Sequence, residues 1–322
     1  MAEWLVEEGI GEQRAVRLAG GEIAGARVQW PGELVAGQVE DAVLTSRAAG
    51  SGRGTARFAN GEEALVERLP KDASEGATLR LKVTRAAIGE RGRLKRAQAR
   101  PTDEAPQVPT LAEKLSAEGH EVRIVHRFAE ADWDELVAEA FAREIAFAGG
   151  SLVFTPTPAM LLVDIDGTLP PRELALAAIP ALASAIRRFD LGGSIGIDFP
   201  TLERKDDRRA VDAALGESLD DWPHERTAMN GFGFVQLVAR LDKPSLLHRA
   251  TYSPAAFAAR ALLRRAEALE GAGAILLQGH PALEGELAPW LPELARRSGR
   301  EVRWEARAAL AITAPQAQLV PR

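Results

Sequence analysis

The sequence predicts a multidomain α+β protein, with a β-rich N-terminal region followed by α/β units. Three observations carry that prediction. Residues 1–100 hold short apolar runs separated by turn residues. Pro101–Pro109 has linker composition. From Asp132 onward, helical periods alternate with short apolar strands. At 322 residues the chain also exceeds one typical domain of roughly 100–200 residues.

Each element follows in order. The runs Trp4–Val6, Arg14–Leu18, Val28–Trp30, Ala42–Thr45, Thr55–Phe58, Ala64–Val66 and Thr78–Val83 read as strands. Gly20-Gly21, Pro31-Gly32 and Asn60-Gly61 punctuate them, and Asn-Gly between strands is a strong hairpin signal. Spacing of this kind predicts a small barrel or sandwich. Arg85, Arg91, Arg93, Lys95, Arg96 and Arg100 then form a basic run against Glu90 alone. Beyond the proline-rich segment, Asp132 and Glu135 form a capping-box-like start. Trp133, Leu136, Val137, Phe141 and Ile145 share one helical face, and Gly149-Gly150 is expected to stop that helix. A hairpin over Ser151–Phe154 and Met160–Asp164 is expected next, then a helix ending near Arg188. A strand at Ser194–Phe199, a charged helix near Arg204–Leu219 and a strand at Phe234–Ala239 follow. After Ser253-Pro254 the expected order is helix, strand Ala274–Leu277, helix, strand Glu301–Trp304 and a last strand near Ala309–Thr313.

Composition narrows the classes. Hydrophobic residues at 46% and charged residues at 27% exclude a disordered, collagenous or coiled-coil chain. A net charge of −6 excludes a cationic field over the whole surface, while leaving room for a local basic patch. With no cysteine there is no disulfide, thiolate zinc site or thiol nucleophile. The acidic N-terminal stretch lacks the positive flank and apolar run of a secretory signal. The longest apolar runs fall far below the ~20 residues of a membrane helix, so no membrane partner and a cytoplasmic location are expected.

Four motifs could carry chemistry. Asp164 and Asp166, in LLVDIDGTL, match the nucleophile signature of haloacid-dehalogenase-type phosphatases, in which the first Asp attacks phosphorus. The acidic pair Asp206-Asp207, however, sits in a charged helical stretch and not at a strand end. Gly192–Gly196 is formally Gly-x-Ser-x-Gly, yet a nucleophile elbow needs a helix after its turn, and here a strand follows. Asp164 and Asp198 each end a short buried-type strand, with one helix between them. Strands joined in that way place both acids at one sheet edge, where Mg²⁺ can bind through one or two carboxylates. The alternative is that one Asp caps a helix while the other pairs with an arginine. The basic run Arg85–Arg100 after a barrel-like segment suits a single-stranded nucleic acid, or is a solvated charged loop. His120, His126, His224, His248 and His280 show no metal spacing.

Arg188–Phe199, with its Asp-Leu-Gly-Gly turn and a strand ending in Asp-Phe, resembles the catalytic segment of the ribonuclease E/G family. Ala138–Ile145 and Gly149–Phe154 are similar to the helix and strand before that family's first catalytic Asp. Asp164-Ile-Asp166 stands in the place of its Asp-x-Asn. Thr84–Leu94 and Gly54–Val66 are similar to its barrel, and Phe232–Phe234 and Pro244–Leu246 also fit. The resemblance implies a Mg²⁺-dependent endoribonuclease acting on single-stranded RNA and leaving a 5′-phosphate. It implies an RNase H-like region at 1–35, an OB-type barrel at 36–100 and a linker or truncated 5′-end sensor at 101–131. A DNase I-like catalytic domain at 132–250 and a small α/β domain at 251–322 complete it. Catalysis would rest on Asp164, Asp166 and Asp198, with Asp164 and Asp198 as metal ligands. RNA would be held by Phe58, Arg85, Arg91, Arg93 and Lys95. Phe58 stands where a stacking aromatic is expected, and Leu65 replaces the second, a loss of roughly 1–3 kcal/mol of grip. Without cysteine the family's subunit-joining zinc link is absent, so any homo-oligomer needs other contacts. Cleavage is expected to be independent of the 5′ end. A non-catalytic RNA-binding relative is the alternative, with a dehalogenase-type phosphatase third.

Overall fold

Two glycines in the left-handed region, Gly20 (φ 62°) and Gly21 (φ 87°), make the two-residue turn that twists one strand back on the next. The computed structural model describes residues 3–128 and 132–321. It opens with β1 (Trp4–Gly9), β2 (Glu12–Ala19) and β3 (Glu22–Gln29), an antiparallel meander. β4 (Val39–Arg47), β5 (Gly54–Arg57), β6 (Glu63–Val66), β7 (Thr78–Arg85) and β10 (Ala97–Pro101) close into a five-stranded barrel, ordered β10-β6-β5-β4-β7. Between its last two strands projects a hairpin, β8 (Ile88–Glu90) and β9 (Arg93–Lys95). The basic run is therefore a folded hairpin and not a loose loop.

Residues 101–128 add ordered structure to the first sheet. Thr110 and Glu113 cap α1 (Leu111–Ala117) reciprocally, and β11 (Val122–Val125) pairs parallel with β1. Leu111 and Leu115 pack on Trp4, Val6 and Ala15.

The second large sheet, with α2 (Trp133–Ala142) leading into it, has the order β12 (Glu144–Phe147), β13 (Gly150–Pro156), β14 (Leu161–Gly167), β15 (Gly193–Asp198), β17 (Phe234–Ala239), β16 (His224–Arg226). α2 stops earlier than its apolar spacing predicts. Arg143 takes φ 57°, a left-handed C-cap, and Ile145 lies in β12. β14 and β15 are parallel, joined by α3 (Pro171–Arg188), and α4 (Lys205–Ser218) follows β15. Leu161, Val163, Ile165, Ile195, Ile197, Val235 and Leu237 face one core with Leu174, Ile179, Leu182 and Ile186 of α3. Val16, Ile23 and Val28 of the first sheet join that core, so α3 lies between the two sheets. On the opposite face of the six-stranded sheet Leu162, Asp164, Asp166 and Asp198 are exposed, so that face of β14 and β15 is open.

α5 (Leu246–Tyr252) and α6 (Pro254–Glu267) lead to a three-stranded sheet, β19 (Val302–Ala306), β18 (Ala274–Gly279), β20 (Gln316–Val320). The short α7 (Glu284–Leu287) and α8 (Leu291–Ser298) cover it with α6. The last strand falls at Gln316–Val320 and not near Ala309–Thr313, which lies in successive turns. Ala317 and Leu319 alternate onto the core there and the segment pairs with β18, whereas Ala309–Thr313, although Leu310 and Ile312 are half-buried, folds back in turns. Among the described residues, no helix is long and apolar enough to cross a membrane.

Candidate active site on the open face of the six-stranded sheet

Period-two alternation decides which side chains reach the open face. Along β14, Leu161, Val163 and Ile165 are buried, while Leu162, Asp164 and Asp166 are exposed. Along β15, Ile195 and Ile197 are buried and Asp198 is exposed. The parallel register sets Asp164 directly opposite Asp198. Neighbouring strands lie about 4.8 Å apart, so the two carboxylates rise side by side from one face. Among the described residues neither makes an ion pair, nor does Asp166. The reading in which one of them caps a helix or locks onto an arginine is therefore set aside: Pro170 and Arg204 occupy the caps of α3 and α4.

Asp166 stands one step further along the same face, opposite Ser151. Among the described residues, no three His, Cys, Asp or Glu side chains converge as a metal-binding group. The arrangement is thus a two-carboxylate pair with a third acid beside it. Such a donor set fits a cation that keeps most of its waters and uses one or two carboxylates.

The rest of the face is built around Gly196. A Cβ there would meet Phe234 Cζ at 2.5 Å and Met160 Sδ at 2.9 Å, so the absent side chain is what lets both lie across the strand. Ser194 is a strand-entry residue whose hydroxyl accepts from Gln236 Nε2 at 2.9 Å. The strand continues directly from it to Asp198, so it lacks the strand–turn–helix geometry of a nucleophile elbow. Asp207 sits in the first turn of α4 and pairs with Arg172 at 3.2 Å. Arg204 and Lys205, at the start of α4 just past the carboxyl end of β15, carry no ion pair or hydrogen bond from their side chains among the described residues.

At the amino end of the same strands, Arg85 and Lys95 line a cleft of about 250 Å³ with Met160, Leu161, Gly193 and Ser194. Arg85 Nη2 donates to the Arg96 carbonyl at 2.8 Å, and burial lowers its pKa despite nearby Glu90. Arg93 pairs with Glu90. Arg91 occupies the hairpin turn, exposed and unpaired among the described residues. The hairpin is docked, with Gly89 packed so closely on Tyr252 that a Cβ would lie 2.8 Å from that residue. Behind it, burial pushes His248 down to about 4.

Phe58 corrects the sequence reading. It is 3% exposed within the barrel core, beside Ala56 and Val66, and offers no ring face to a base. Leu65, by contrast, is 41% exposed on the barrel exterior. Sequence reasoning assigned no role to Phe232, Phe234, Arg204 or Lys205. The Asn230-Gly231 turn signal beside two phenylalanines was the available clue.

Residues 78–240, half of the chain, match the ribonuclease E/G family. The chain belongs to that family. The matched span runs from β7 through the hairpin to β17, and so includes Asp164, Asp166 and Asp198. The chain is 28% identical to Ribonuclease G of Escherichia coli (strain K12) over 203 residues, 58% of this chain and 39% of that protein. The same figures hold for Ribonuclease G of Shigella flexneri. Ribonuclease G of Salmonella typhimurium (strain SL1344) is 27% identical over 204 residues, with the same coverage. The alignment spans about 39% of the length of these family members.

Proposed function

We propose that this member of the ribonuclease E/G family is a Mg²⁺-dependent endoribonuclease that hydrolyses phosphodiester bonds of single-stranded RNA on its open sheet face. The observation that carries the reading is the register of Asp164 against Asp198, two unpaired carboxylates on adjacent parallel strands. These two would hold the metal. Bound there, Mg²⁺ supplies charge neutralisation at the phosphoryl oxygens and a water of lowered pKa. Asp166, on the same face, accepts hydrogen bonds from water beside the pair. Arg204 and Lys205 bind phosphates at the carboxyl end of the strands, and Lys95 and Arg85 at the amino end. From Ser194 to Asp198 the strand advances about 13 Å, room for roughly two nucleotides between the hairpin and the acids. The RNA-binding role of the hairpin is supported by Arg91 and Lys95, which carry no ion pair among the described residues, whereas Arg93 is engaged with Glu90.

The deciding experiment incubates the protein with end-labelled single-stranded RNA in Mg²⁺ or in EDTA. Internal cleavage in Mg²⁺ alone, lost in Asp164→Asn and Asp198→Asn, is expected. Binding without cleavage would make the chain a non-catalytic RNA-binding relative. α1 and β11 are committed to the first sheet, so substrates with 5′-phosphate and 5′-hydroxyl ends should be cut at similar rates.

A further inference from the structure

We propose that Phe232 is a base-stacking residue, seating a nucleobase of the RNA beside the phosphodiester held at Asp164 and Asp198. The inference rests on the endoribonuclease reading above and adds a substrate contact to it.

Phe232 is 80% exposed, more than any other large hydrophobic side chain among the described residues. Single exposed apolar residues are ordinary. What sets this one apart is how firmly the backbone beneath it is held. Asn230 Oδ1 accepts from the backbone N–H of Phe232 at 2.9 Å and of Phe234 at 3.1 Å. The Asn230 N–H donates to the Phe234 carbonyl, and the Gly233 N–H to the Asn230 carbonyl. Gly233 has φ 89° and lies so close to the preceding strand's exit that a Cβ would be 2.5 Å from the Phe199 carbonyl oxygen. The Phe199 N–H in turn donates to the Gly233 carbonyl at 3.2 Å. The turn is pinned to the residue that follows Asp198, and Phe234 pairs with Asp198 itself.

A pinned turn keeps an aromatic ring in water next to two unpaired carboxylates. Phe234 is already engaged, half-buried over Gly196, so Phe232 is the free ring. Arg204 and Lys205, also without partners, stand beyond the same strand end. A π-face, cations for phosphates and acids for a metal are the three needs of a single-stranded substrate, and stacking accepts any base. A protein partner would need a continuous apolar patch, and the turn around Phe232 offers Asn230, Gly231 and Gly233 instead.

The test uses single-stranded RNA decamers carrying the fluorescent base aminopurine at successive positions, bound in EDTA so that they stay intact. Wild type and Phe232→Trp should quench one position, and Phe232→Ala and Phe232→Leu should not. Affinity should fall on the order of 10-fold in Phe232→Ala and return in Phe232→Trp. Equal quenching and equal affinity in all four proteins would overturn the proposal, provided wild type cleaves RNA in Mg²⁺ and Asp198→Asn does not. Unchanged RNA binding together with an altered oligomeric state in Phe232→Ala would also overturn it, in favour of a contact between copies. If wild type neither binds nor cuts RNA, the endoribonuclease reading fails first.

Discussion

Replacing Asp198 by Asn removes one of two like charges that the sheet holds side by side, and the register sets the size of the effect. Cα partners on adjacent strands are about 4.8 Å apart. Both side chains are exposed, so the dielectric of water applies, and their repulsion comes to about 0.9 kcal/mol before salt screening. In EDTA at low salt the variant should therefore be more stable than wild type by up to ~1 kcal/mol. For a cooperative unit of 150–250 residues that is a rise of roughly 2–4 °C in Tm. Mg²⁺ should reverse the order. An ion held by both carboxylates stabilises the folded wild type by ~2.7 kcal/mol at a hundred times its Kd, and the variant by much less. Cleavage should fall by at least ~100-fold, which is ~2.7 kcal/mol of barrier. Thermal melts in EDTA and in Mg²⁺, run beside the RNA cleavage assay, read all three. A variant less stable than wild type in EDTA, or equal Mg²⁺ stabilisation of both, would refute the paired-carboxylate argument.

Phe58→Ala should destabilise the barrel by about 3–5 kcal/mol in urea melts, because it empties a core position, while Leu65→Ala should leave stability within ~0.5 kcal/mol. Glu7 accepts from buried Arg14, from Arg264 at 3.3 Å and from the Phe128 N–H at 3.2 Å; Glu7→Gln should cost about 3 kcal/mol by stranding buried Arg264 and leaving Arg14 to Glu12 alone, read as a lower urea midpoint. Burial lowers the folded His248 pKa from 6.5 to about 4, so the unfolded chain takes up the proton first: stability is full above pH 6.5 and falls by ~3 kcal/mol as pH drops to 4. His248→Gln, which keeps a side chain able to cap Ser245, should flatten that pH dependence of the urea midpoint. The five cations assigned to the RNA, Arg85, Arg91, Lys95, Arg204 and Lys205, predict a slope of about −3.5 for log affinity against log salt in single-stranded RNA titrations; a slope near zero would remove the phosphate contacts from the scheme.

The acid pair was legible because the signals behind it are local. Two apolar strands ending in Asp, joined by one helix, admit a parallel crossover that brings the acids to one edge, and the sheet does so in register at Asp164 and Asp198. The Asn60-Gly61 hairpin was legible for the same reason, with Gly61 at φ 88°. Phe58 was misread although its environment was encoded: Ala56 and Phe58 are two apart along an extended segment and share the inner face. Family position outweighed periodicity there, and periodicity was right. The end of α2 was not legible, since a left-handed cap at Arg143 uses a residue with no preference for that conformation. Nor was the pairing of β11 with β1, a contact across more than a hundred residues. Phe232 was hidden differently: nothing in a short apolar run tells which ring the turn will leave in water.

Charge allocation reconciles the acidic composition with the proposed RNA substrate. Most arginines are consumed by neighbouring acids, as in Arg188 with Glu139, Arg226 with Asp212 and Arg80 with Asp41, so they contribute little field. With screening lengths near 8 Å at physiological ionic strength, the acids on distant faces scarcely reach the open sheet face. Under the proposed function, what a strand of RNA would meet is local: Lys95 and Arg85 at one end, Arg204 and Lys205 at the other, and Asp164, Asp166 and Asp198 between them. Cations at the ends attract the backbone while three carboxylates in the middle repel it. On that reading a strand touches down at both ends and stacks on Phe232 without a divalent cation, while its central phosphate closes on the acid pair only once a cation neutralises it. Under the proposed function, metal binding and productive seating of the substrate would be coupled by that geometry, and the coupling would need no conformational change. Asp166 strengthens it, because a third carboxylate on the same face raises the repulsion that the cation must cancel.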